Sequence, residues 1–186
     1  LNPEYAVNLE AGVNGSLALG TNSQLDLGAA VFRSRIDDTI ENITIAPMLC
    51  TSSPCSQLQN IGRQVNSGVE VSATAMLGSQ FEVHGSYTYL DRDNKTSPAV
   101  LPLDTPQHKV FAYLQYSPIT SLQLMLSGQH ESERFSATNG SRRTDSFTTA
   151  DFKAVWQPLD YLQAEFGARN LTNELYAFEE GYPEAG

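Results

Sequence analysis

Apolar and polar positions alternate along most of the chain. In 5–13, Tyr5, Val7, Leu9, Ala11 and Val13 fall on one side, and Asn8, Glu10 and Gly12 on the other. In 68–77, Val69, Val71, Ala73, Ala75 and Leu77 oppose Glu70, Ser72 and Thr74. In 81–90, Phe81, Val83, Gly85, Tyr87 and Tyr89 oppose Glu82, His84, Ser86 and Thr88. Runs of the same kind occupy 25–36, 109–116, 122–129, 149–156 and 162–169. Successive strand residues point to opposite faces, so a period of two with one apolar and one wet side marks half-wet strands. No stretch carries a helical period. The pattern predicts an all-β chain, an antiparallel up-and-down meander of about eight strands.

The connections divide into two classes. "LGTNSQ", "LGSQ", "SPIT" and "QPLD" are short and built from turn-forming residues. Between them lie long polar stretches at 37–60, 91–107, 136–145 and 170–186. Short and long strictly alternate, so every tight turn falls at one end of the meander and every long excursion at the other. Transmembrane β-barrels are built this way; a soluble sandwich has no physical reason to be. Tyr116, Trp156, Tyr161 and Phe81 flank the short turns, where an aromatic girdle at one membrane interface would stand.

Alternation alone does not say whether the apolar face meets lipid or a dry core. Small residues on that face (Ala11, Ala73, Ala75, Ala112, Ala164, Ala168) favour lipid, because a sandwich core needs bulk to fill it. Composition agrees: charged residues make up only 17% of 186 residues, and uncharged polar ones take their place. The net charge of −10 argues against a nucleic-acid partner, which requires clustered cations. No apolar run approaches a membrane helix, which excludes helical membrane proteins only. The first residues lack the basic start and apolar centre of a signal peptide.

Little in the chain suggests catalysis or a resident cofactor. Nucleophile-elbow and phosphate-loop motifs are missing, and His84, His108 and His130 are scattered without metal-ligand spacing. Asp91, Asp93 and Asn94 offer oxygens, but without the glycine and bidentate glutamate of a calcium loop. Cys50 and Cys55, close together in a Ser/Pro-rich stretch, read as a small disulfide clip formed in an oxidising compartment. With Met48 they could instead form a soft copper-ligand set.

Three segments carry a family resemblance. "LNPEYAVNLEAGV" is similar to a strand opening in the barrels of TonB-dependent outer-membrane receptors, and "NIGRQVNSGVEVSATAML" resembles another of their recurrent strands. "FGARNLTNELYAFEEGYPEAG" resembles the approach to their last strand and is the most specific of the three. The resemblance implies that 1–186 is the C-terminal portion of a barrel of about 22 strands, with plug, earlier strands and last strand absent from this sequence. It implies a non-enzymatic importer in the outer membrane of a Gram-negative bacterium. The cargo would be a metal chelate, most readily a ferric siderophore, with copper or cobalamin as alternatives. Outer-membrane lipid would surround it, and an energy-coupling protein would act through the absent plug. A self-contained eight-stranded barrel serving as anchor or adhesin is the other membrane reading, and a soluble β-sandwich binding module the third. On the loop side the candidate ligand contacts are Arg134, Arg142, Arg143, Tyr176, Phe178 and Tyr182. Guanidinium forks suit chelate oxygens, and aromatic rings suit flat chelates. Arg142 and Arg143 could equally be solvated or meet anionic lipopolysaccharide.

Overall fold

The computed structural model describes residues 1–44 and 56–184. Cys50 and Cys55, and with them the disulfide and copper readings, lie outside the described residues. The described residues form twelve strands: β1 (Tyr5–Gly20), β2 (Ser23–Thr44), β3 (Ser56–Leu77), β4 (Phe81–Asn94), β5 (His108–Ile119), β6 (Leu122–Glu131), β7 (Arg134–Phe135), β8 (Arg143–Thr144), β9 (Phe147–Leu159), β10 (Leu162–Ala168), β11 (Ala177–Glu179) and β12 (Tyr182–Pro183). Eight make one antiparallel sheet in the order β1-β2-β3-β4-β5-β6-β9-β10. The remaining four pair as two small hairpins, β7–β8 and β11–β12. This is the all-β meander that the alternation predicts. Tight turns at Thr21–Asn22, Gly78–Gln80, Thr120–Ser121 and Asp160–Tyr161 close one end, and the long connections gather at the other. Asn22 (φ 66°) and Gly78 (φ 62°) supply the left-handed backbone that two of these turns require.

The register carries the alternation across the whole sheet. One row runs Leu17, Leu25, Ala75, Val83, Leu114, Leu126, Phe152 and Ala168, each directly opposite the next. The next row on that face is Gly15, Leu27, Ala73, Gly85, Ala112, Gly128 and Ala150. None of this is covered. Val13 is 72% exposed, Leu9 69% and Phe166 68%, and among the described residues the buried large apolar side chains are Val65 and Phe147. Among the described residues no second layer packs on the apolar face, so the dry interior of a sandwich is ruled out.

The opposite face is wet and cross-linked from strand to strand. Ser16 donates to Asp26 (2.5 Å), Thr74 pairs with His84 (2.8 Å) and Tyr113 donates to Glu82 (2.5 Å). Lys153 meets Glu165 at 3.0 Å. At the turn end of the apolar face, Phe81 stacks on Tyr116 at 4.6 Å, and Trp156 and Tyr161 are exposed. Toward the loop end a second set of amphipathic rings appears. His108 stands between Tyr87, whose hydroxyl lies 2.8 Å from His108 Nδ1, and Tyr89, 5.3 Å away by ring centres.

Two stretches expected as loop are strand. The polar connection placed at 37–60 is mostly a continuation of β2 and β3, paired as far as Thr44 and Ser56. Asp38 (φ 60°) is an extra residue in the ladder, so the register slips between Asp37 and Ile40 and the alternation changes phase. Asp91, Asp93 and Asn94 lie on β4, where Asp91 pairs with Ser67 and Asp93 with Val65. Charges take over the apolar side there, and that ends the pattern without ending the strand.

Candidate functional site

Four wet-face residues at the loop end of β4, β5 and β6 begin the site: Thr88, Leu90, Lys109 and Glu131. Lys109 and Glu131 are direct cross-strand partners, and the Lys109 ammonium lies 2.9 Å from Glu131 Oε1. β7 follows β6 after two residues and returns Arg134 onto the same carboxylate, 2.7 Å from Oε2. The Glu131 and Arg134 side chains are only 4% and 3% exposed. Burying that pair is tolerable because one carboxylate serves two cations and the guanidinium is packed between rings. Its centre lies 5.8 Å from the Phe147 ring and 5.7 Å from the Phe178 ring, within cation–π range.

The rings come from a turn written into "NLTN". Asn170 (φ 52°) donates its backbone N–H to Asp151 (2.8 Å), and Leu171 N–H donates to the Ala150 carbonyl (2.7 Å). The Asn170 side chain donates to the Glu174 carbonyl (2.8 Å) and accepts from its N–H (3.0 Å). Asx geometry of this kind replaces ladder bonds where a strand ends. It delivers Tyr176 onto Phe147, stacked at 4.3 Å, and Phe178 edge-on to both. Phe147 is 2% exposed.

The loop at 95–107 makes the remaining wall. Arg92 donates to Thr105 Oγ1 (2.6 Å) and to the Leu103 carbonyl (3.2 Å). Burial draws the Arg92 guanidinium below its ordinary range, partly offset by Asp104. Two backbone bonds fix this loop to the next excursion: Leu101 N–H to the Thr138 carbonyl (2.7 Å) and Asp104 N–H to the Phe135 carbonyl (3.0 Å). Together these parts border an open cavity of about 580 Å³ whose wall includes Asp104, Lys109, Glu131, Arg134 and Phe178. Arg134 Nε is buried and, among the described residues, has no acceptor.

The six residues singled out by sequence therefore separate. Arg134 and Phe178 line the cavity, and Tyr176 supports Phe178 through the ring cluster. Arg142 meets Glu180 at 3.3 Å on the outside and is 63% exposed. Arg143 pairs with Glu133 and lies over Phe135 at 4.7 Å. Arg143 and Tyr176 border a second depression of about 330 Å³ between the two hairpins. Tyr182 is 71% exposed. Asp104, Lys109 and Glu131 were not anticipated. The signal for the last two is the alternation itself: Lys109 opens the run 109–116, and Glu131 lies one period beyond 122–129. Among the described residues no group of His, Cys, Asp or Glu could hold a metal ion.

The family model described as "TonB dependent receptor-like, beta-barrel" matches residues 1–171. The chain belongs to that family. Solved structures agree on the fold. The ferric-catecholate import receptor Fiu of E. coli K12 superposes with a TM-score of 0.70 at 19% identity, over 96% of this chain and 25% of that one. The pyoverdine outer-membrane receptor FpvA of Pseudomonas aeruginosa PAO1, bound to pyoverdine, gives 0.74 at 19%, over 98% and 27%. The iron transporter FrpB of Neisseria meningitidis gives 0.72 at 18%, over 98% and 30%. The chain thus spans between a quarter and a third of the length of these receptors.

Proposed function

We propose that the chain is the C-terminal part of the barrel of an outer-membrane active-transport receptor, and that the cavity at its loop end contacts the metal chelate being imported, a ferric siderophore. The apolar face stands against lipid, the wet face lines the lumen, and the excursions face outside. An energy-coupling protein acts through a plug domain outside this sequence, and the task is capture and passage rather than catalysis.

One observation carries the reading of the cavity. Lys109 and Arg134 stand together in the wall of an open space and, among the described residues, share one carboxylate, Glu131. Two cations against one carboxylate leave this trio with a net positive charge that favours an anion. Phe178 and Lys109 on the same wall supply a flat apolar surface and a second cation. That set suits an anionic chelate whose oxygens accept and whose rings stack.

The test is made on the full receptor that carries this segment, with a panel of ferric catecholates, ferric hydroxamates, cobalamin and a copper complex. Charge-assisted hydrogen bonds contribute about 1.5–3 kcal/mol, so Arg134→Lys and Phe178→Ala should each weaken binding of one ferric chelate by roughly tenfold to a hundredfold. Unchanged affinity in both would remove the cavity from the ligand site. Tight binding of cobalamin or copper with no ferric chelate bound would overturn the cargo.

A further inference from the structure

Eleven Lys and Arg residues stand against twenty-one Asp and Glu in this chain, and their placement is uneven. None borders the four tight turns. On the apolar face they begin immediately beyond Val31, at the loop end. Arg33 lies directly opposite Leu9 and Ser67, and Arg35 directly opposite Val7 and Val65. Asp37, two residues further on the same face, is shared by Arg35 (2.9 Å) and Arg63 (2.5 Å). Arg33 is exposed and, among the described residues, has no carboxylate partner. Three guanidinium groups thus stand against one carboxylate. Alternate strand residues are about 7 Å apart and adjacent strands about 5 Å, so two guanidinium groups can grip one anion. The other acids on this face lie across β3. Asp93 is taken by Lys95 (2.5 Å), and Asp91 is two strands from Arg33, about 10 Å away.

We propose that Arg33, Arg35 and Arg63 form a binding site for the phosphate of an anionic lipid in the outer leaflet. The proposal rests on the reading that the apolar face meets the outer membrane. Long arginine stems lie along apolar surface while their heads reach the interface. Val7 and Leu9 are the exposed apolar neighbours that such stems, and a lipid's upper acyl segment, would cover. The planar guanidinium binds phosphate oxygens in pairs, which a lysine cannot do. A purely solvated face would not need all three cations to rise beside valine and leucine at the border of the greasy surface.

The experiment uses the full receptor in neutral detergent and native mass spectrometry with three probes: bis-phosphorylated lipid A, enzymatically dephosphorylated lipid A, and inorganic phosphate. The wild type should retain lipid A, and the double variant Arg33→Ala/Arg35→Ala should retain at least tenfold less, with Arg33→Lys/Arg35→Lys between them. Dephosphorylated lipid A should bind equally weakly to all. Equal retention of lipid A by wild type and double alanine variant would overturn the site. So would displacement of lipid A by millimolar inorganic phosphate, which would mark a free-anion site. Reconstitution into bilayers separates this from the parent reading: a receptor that inserts but ignores the phosphates refutes the lipid site alone. One that stays soluble without detergent refutes the membrane assignment.

Discussion

Glu131 holds its neighbourhood together because, among the described residues, it is the carboxylate that Lys109 and Arg134 share. Removing one partner of a buried ion pair costs about 3–5 kcal/mol, since a charge is left stranded. Glu131→Ala should therefore release the 132–146 and 169–184 excursions, seen as faster amide exchange there while β3 and β4 keep their protection. Phe147→Ala should do the same through lost ring packing, at about 3–5 kcal/mol for a fully buried phenylalanine. Asp37, beyond the apolar band, behaves differently because it titrates. Its carboxyl is held below the usual range, first by the hydrogen bond from Arg63 and then by the charges of Arg35 and Arg63. A depressed carboxyl stabilises the fold above its unfolded value of about 3.9, and that contribution fades as pH falls through the lower folded value. Exchange protection of the Asp37–Arg63 pairing should thus drop in acid, and Asp37→Asn should make it insensitive to pH below about 4.

The strands show what alternation conveys and where it stops. All eight sheet strands were legible, because register across the sheet keeps Leu25 beside Ala75 and Ala75 beside Val83 with one face apolar throughout. Their full length was not legible. A bulge at Asp38 changes the phase, and Asp91 and Asp93 put charge where the pattern had put grease. The small hairpins β7–β8 and β11–β12 are three residues or fewer per strand, too short to show a period. Tertiary contacts such as Phe147–Tyr176 hold them instead. For the same reason the cavity that they border could not be read from the alternation. Gly68, in the motif-like "NSGVE" of β3, has a specific cause. A Cβ there would meet the Phe32 ring and the Tyr89 carbonyl at 2.4 Å. Gly68→Ala should destabilise the sheet by about 1–3 kcal/mol, the usual range for overpacking, and lower the melting temperature of the folded receptor.

Across the molecule, neighbours in sequence face opposite sides of the sheet. Leu126 is 50% exposed on the apolar face, and Ser127 points to the wet one. If lipid covers the first, Leu126→Arg should cost about 2–4 kcal/mol near mid-bilayer, whereas Ser127→Arg should be tolerated. Urea unfolding from liposomes measures both, and equal penalties would contradict the assignment of faces.

The excursions are laced to one another: 95–107 to 132–146 by the Leu101–Thr138 and Asp104–Phe135 bonds, and 132–146 to the last hairpin by Arg142 and Glu180. A protease that severs the peptide between Arg142 and Arg143 would therefore not set a flap free. Each cut end would stay moored, one by Phe135 and Thr138 and the other by Thr144 beside Ser136. The nicked receptor should run as two pieces on a denaturing gel and still behave as one particle in solution.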